Sequence, residues 1–194
     1  MKFKGLRGIL ILLFAAMAFA GIFFRLSNKQ QASTEEEEVA TATPIEIALE
    51  RNLSTNYPGT PKEVVKYFSE ITQCYYNETF DDDEQLEALA RQMLKLYDDE
   101  LVSYKSYEDY MFDLKSDINF YNENGYKISS YAPSQSTDVV FFTEDGFEWA
   151  RLWCAYTIKS GKYYKTINEV FVLRKDDKSH WRIYGWKEDK EDNG

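Results

Sequence analysis

Two segments of alternating residues, 147–159 and 162–175, are separated only by Ser160-Gly161. No other feature restricts the fold of this chain so tightly. A two-residue connection containing Gly is the shortest that joins antiparallel strands, so the pair predicts a long β-hairpin. A hairpin of that length has a face to bury, and another layer must cover it. Tyr126–Tyr131, Asp138–Phe142 and His180–Lys187 read as further strands, with turns at Glu144-Asp145-Gly146 and Lys175–Ser179. Upstream the period changes to that of helices. Thr60-Pro61-Lys62-Glu63 is a capping box with Pro at the first helical position, and Val64, Phe68, Ile71 and Tyr75 follow at helical spacing. A second helix follows Asp81-Asp82-Asp83, with Leu86, Leu89, Ala90, Met93 and Leu94 on one face. A third starts at Ser106, with Tyr110, Met111, Leu114 and Ile118 inward and Gly125 as its stop. The expected fold class is α+β: three N-terminal helices packed on a curved, mainly antiparallel sheet, preceded by one transmembrane helix.

That last element rests on Gly8 to Phe24, an uninterrupted uncharged and mostly apolar run. With Leu26 and snorkelling by Arg7 and Arg25 it reaches the short end of what spans a bilayer. Lys2, Lys4 and Arg7 precede it, which places the N-terminus in the cytoplasm and the remainder outside. Ala18-Phe19-Ala20 also resembles a signal-peptide cleavage site, so secretion after Ala20 is the alternative. The run continues through Ile22, Phe23 and Phe24, which favours an uncleaved anchor. The layout expected is a cytoplasmic N-terminus (1–7), an anchor (8–26), an acidic flexible linker (27–56), an extracytoplasmic domain (57–188) and a disordered tail (189–194). Glu35 to Glu38 read as a solvated spacer, and the alternation of Ile45, Ile47 and Leu49 suggests a short piece docked on the domain.

The net charge is −10, and Lys2, Lys4, Arg7, Arg25 and Lys29 all lie before residue 30, so the remainder is more acidic still. Such a surface excludes nucleic acid as a partner. One His and two Cys cannot form a conventional zinc site from this chain alone, and no metal, cofactor or catalytic residue is assigned. Cys74 and Cys154 both point inward, bonded or as separate thiols. Asp81 to Glu84 lacks the ligand spacing of a calcium loop and reads as a helix cap.

With Lys159 opposite Lys162, residues of the hairpin divide into two faces. The first holds Ala150, Leu152, Cys154, Tyr156, Ile158, Ile167 and Phe171, and is the face for the helices to cover. Glu169 and Lys165 fall on it and are out of place there unless they sit at a rim or line a wet pocket. Tyr156 faces Lys165 in this register, which would lower a phenol pKa, although a lysine stem lying over the ring is the commoner arrangement. Glu169, Tyr156 and Lys165 are therefore the ligand-pocket suspects. The second face holds Trp149, Trp153 and Arg151, and a last strand with Ile183 opposite Phe171 adds Tyr184 and Trp186. An aromatic and Arg-bearing sheet face is typical of interfaces, so these five are the interface suspects. His180 sits at a turn-to-strand boundary and reads as a surface histidine.

Three helices followed by a long antiparallel sheet, with the capped helix Thr60–Tyr76, the strands around Ser160-Gly161 and the closing His180-Trp181-Arg182-Ile183, resemble the nuclear transport factor 2-like cone superfamily. That superfamily includes the ketosteroid isomerase and polyketide cyclase relatives. The resemblance implies a pocket between helices and concave sheet, and frequent dimerisation through the convex face. It transfers no catalytic residue. Asn56-Tyr57-Pro58-Gly59-Thr60-Pro61-Lys62-Glu63-Val64-Val65 and Cys74-Tyr75-Tyr76-Asn77 are also similar to an uncharacterised group of membrane-anchored proteins of Gram-positive gut anaerobes. Two functions are expected from this: a non-enzymatic binding or assembly module with a homodimer or protein partner on the aromatic sheet face, or a small-molecule-binding or enzymatic cone with Glu169 in its pocket.

Overall fold

A computed structural model describes residues 42–189 of the chain. The anchor expected at 8–26, most of the acidic stretch before Ala42 and the tail beyond Asp189 lie outside the described residues. Among the described residues no helix is long and apolar enough to cross a membrane.

The class is α+β, and the described residues hold five α-helices where three were expected. They are α1 (Pro44–Glu50), α2 (Pro61–Asn77), α3 (Asp83–Leu94), α4 (Asp99–Ser103) and α5 (Tyr107–Glu123). The strands are β1 (Tyr126–Pro133), β2 (Val140–Glu144), β3 (Phe147–Ser160), β4 (Tyr163–Lys175) and β5 (Trp181–Glu188).

The helix starts follow from local chemistry. Thr60 and Glu63 form the expected capping box, Glu63 N donating to Thr60 Oγ1 (3.2 Å) and Thr60 N to Glu63 Oε2 (3.1 Å). Asp82 caps α3 by accepting from Gln85 N at 2.8 Å, and Ser106 caps α5 by accepting from Asp109 N at 3.1 Å. Each such cap stabilises its helix by about 1 kcal/mol. The same grammar recurs at Thr43-Pro44-Ile45-Glu46, where Thr43 N donates to Glu46 Oε2 at 2.7 Å. The short piece expected to dock at Ile45, Ile47 and Leu49 is therefore a helix. Ile45 and Ala48 are buried and Ile47 is exposed. The linker expected over 27–56 is folded in its last part: Tyr67 Oη donates to Ala48 O at 2.5 Å, and the Gln92 amide donates to Tyr67 Oη at 2.9 Å and to Arg51 O.

The sheet runs β1-β3-β4-β5, with β2 beside β1 on the same edge of β3. All pairings are antiparallel. The central hairpin turns at Gly161-Lys162, one position later than expected, because Ser160 pairs with Tyr163 and Gly161 takes a positive φ of 57°. Partners therefore slip by two residues: Cys154 faces Glu169, Tyr156 faces Ile167 and Ile158 faces Lys165. A two-residue slip preserves every face, since side chains alternate with period two. Ala150, Leu152, Cys154, Tyr156, Phe171, Leu173, Trp181 and Ile183 are buried on the face toward the helices, with Val64, Phe68, Ile71 and Tyr75 of α2 among their neighbours in the core.

The last strand departs from expectation. Leu173 pairs with Ile183, but Val172 pairs with Gly185, so Tyr184 is an extra residue in β5. This bulge turns Trp186 to the inner face, opposite Phe171. The edge of β5 is stitched to the segment after α3: Asp98 N donates to Ile183 O (2.9 Å) and Ile183 N to Leu96 O (2.8 Å). Cys74 and Cys154 are separate buried thiols.

Candidate functional site

A cavity of about 510 Å³ opens between α2, α5, the loop following α4 and the inner face of β3, β4 and β5. Its wall is dominated by tyrosine. α2 contributes Tyr75 and Tyr76, the segment after α3 contributes Tyr97, and α5 contributes Tyr110 and Tyr121. The sheet contributes Tyr156, Ile158, Ile167, Glu169 and, through the bulge, Trp186. Phe68, Tyr97 and Trp186 form one aromatic corner, with ring centroids 5.1 Å (Phe68–Trp186) and 5.4 Å (Tyr97–Trp186) apart. Tyr76 and Tyr121 stack at 3.9 Å. The mouth carries Tyr104, Asp117 and the ion pair between Lys105 and Asp113.

The polar inventory is unusual for its burial. The Tyr75 hydroxyl is buried outside strict hydrogen-bond geometry, with the Tyr110 phenol interacting with it. Burial pushes the Tyr75 phenol well above its ordinary pKa, and the nearby Tyr110 adds to the effect. Tyr97 and Tyr76 are raised by burial in the same way. Tyr156 is 3 % exposed and shares a 2.7 Å hydrogen bond with Ser69 Oγ. Its pKa is raised, not lowered as a facing lysine would imply, because burial dominates and Lys165 is not beside it. Glu169 is partly buried on the cavity wall, and burial, with a contribution from Glu188 opposite it on β5, pushes its carboxyl up to about 7. Lys165 is exposed, two places nearer the hairpin tip than the wall residue Ile167, and does not line the cavity. Among the described residues no group of three or more His, Cys, Asp or Glu is placed to hold a metal ion.

Of the five residues expected at an interface, Trp149, Arg151 and Trp153 share one face of β3 and Tyr184 packs against Trp149, whereas Trp186 lies on the other face. Trp186 faces the cavity. Trp149 packs edge-on against Tyr184 at 5.0 Å, and both lie under the Arg174 guanidinium, at 5.6 and 5.0 Å. Arg174 in turn pairs with Asp98 and Glu100, and Tyr184 Oη donates to Glu100 Oε1 at 2.8 Å. Trp153 donates its indole N–H to Asp189 at 3.1 Å and lies under exposed Arg151, 5.5 Å away. Phe141, Phe142 and Phe147 around the β2–β3 turn are also exposed. His180 stacks on Tyr57 at 4.3 Å, away from the cavity.

Residue reading missed Tyr97, Tyr110, Tyr121 and Asp117 as one set. The signal was available on α5, where Tyr110, Asp113, Asp117 and Tyr121 recur at helical spacing as a polar and aromatic stripe beside the apolar one. A family model described as a domain of unknown function, DUF6715, matches residues 1–186. The chain belongs to that family. No curated protein matches it. The family match and the architecture together are compatible with a cone-like α+β domain.

Proposed function

We propose that this chain is a membrane-anchored protein whose extracytoplasmic cone-like domain binds a small molecule in the tyrosine-lined cavity. The observation that carries the reading is the cavity itself, a space of about 510 Å³ lined largely by aromatic side chains and large enough for a ligand. The volume falls within the usual range for ligand sites, and the lining is apolar and aromatic with a few convergent polar groups. The resemblance to the nuclear transport factor 2-like superfamily supports it further, because the cavity lies between the helices and the inner sheet face, where that resemblance places a pocket. The competing assembly reading has less to rest on, since Trp186 has left the outer face and Trp149 and Tyr184 are engaged within one chain.

The test is to purify the full chain in detergent from its native membranes and examine it by native mass spectrometry. A small-molecule mass that is lost on denaturation is expected, and Ile167→Trp, which fills the cavity, should reduce it at least tenfold. Equal adduct on both proteins, or none on either, would overturn the reading.

A further inference from the structure

Resting on that reading, we propose that the cavity selects an organic cation: an ammonium group carried on an aromatic or apolar body. Three observations point there. First, the charges lining the space are unbalanced. Asp113, Asp117 and Glu169 face a single lysine, Lys105, and that lysine is already paired with Asp113 at the mouth. No Lys or Arg lies within ion-pair distance of Glu169 among the described residues. A buried carboxylate without a countercharge is costly, and a bound cation would provide one.

Second, the cavity that holds that carboxylate is lined by aromatic rings: Tyr76, Tyr121, Tyr156 and Trp186 line it together with Glu169, and Asp117 stands on the same wall. Aromatic faces attract ammonium groups, and most strongly where water is excluded. Third, the phenols of Tyr97 and Tyr110 on the same wall supply polar groups suited to a hydroxyl or carbonyl on the ligand body. Among the described residues that line the cavity, an anionic ligand would meet three carboxylates and only the lysine already paired with Asp113, so charge disfavours it.

The selection depends on pH. Glu169 is faced by Glu188 on β5, Cys154 and Tyr156 on β3, Tyr76 on α2 and Tyr121 on α5, and none of these brings a positive charge. With its carboxyl near 7, Glu169 is mostly neutral at pH 6 and mostly ionised at pH 8. Cation affinity therefore rises across that interval, by roughly tenfold if the carboxylate form is the one that binds.

The probes are 3-hydroxyphenyltrimethylammonium, its uncharged carbon isostere 3-tert-butylphenol, and 3-hydroxybenzoate, titrated calorimetrically into the full chain in detergent with a detergent blank. The cation should bind at least tenfold more tightly than the isostere at pH 8 and lose most of that margin at pH 6. Glu169→Gln should abolish the margin and its pH dependence while leaving the isostere unchanged. Asp117→Asn, on the exposed face of α5, should reduce the margin in part and provides a second variant should Glu169→Gln prove unstable. Equal or tighter binding of the isostere or of the benzoate would overturn the cation inference and leave the cavity reading standing. Absence of binding by all three at millimolar concentration would overturn both.

Discussion

Glu169 shows how far one residue's environment can be inferred before its neighbours are known. Its place on a mostly aliphatic sheet face marks it as anomalous in the sequence alone, and the structure puts it on the cavity wall with a raised pKa. Because the folded pKa exceeds the ordinary value of 4.5, the native state binds more protons than the unfolded chain between about 4.5 and 7. Stability contributed by this group is thus full at low pH and is lost as pH rises through about 7. Comparing thermal unfolding at pH 5 and pH 8, Glu169→Gln should remove part of the decline seen in the wild type, a differential of roughly 1–3 kcal/mol. An identical decline in both proteins would refute this account of Glu169. Lys165, next to it in the same argument, was not legible: a long charged side chain near a hairpin tip can reach solvent, and periodicity gives its face but not its depth.

At the scale of elements, the capped helices and the hairpin faces were legible because each depends on residues close together in sequence. Helix α1 was equally legible in principle, since Thr43-Pro44-Ile45-Glu46 repeats the pattern of Thr60-Pro61-Lys62-Glu63. Its acidic, low-complexity approach masks it. The bulge in β5 was not legible, because an extra residue at Tyr184 is defined only by the strand beside it. The connection from α3 to α5 depends on an ion pair of the same non-local kind. Asp98 is buried, and its carboxylate is held by Arg174 from β4 at 2.5 and 2.9 Å. Arg174→Met should leave that carboxylate unpaired and destabilise the domain by about 3–5 kcal/mol, whereas Asp98→Asn with Arg174→Met should recover part of the loss. Urea unfolding of the single and double variants measures both.

For the whole molecule, the proposed layout makes a prediction about access. Protease added to intact cells or spheroplasts should digest the domain while sparing a cytoplasmic control, and the uncut chain should sediment with membranes. A chain protected in intact cells, or recovered in the soluble cytoplasmic fraction, would exclude the anchored and outward-facing arrangement. The stitch between Leu96–Asp98 and Ile183, together with the hydrogen bond from Tyr57 Oη to Trp181 O at 2.9 Å, bears on how such a chain is made. Both join the helical half to β5, which is made after all the helices. The helices therefore have no completed surface to close against until β5 has been synthesised. A polypeptide threaded across a bilayer as it is translated would stay unfolded and able to pass until β5 arrives.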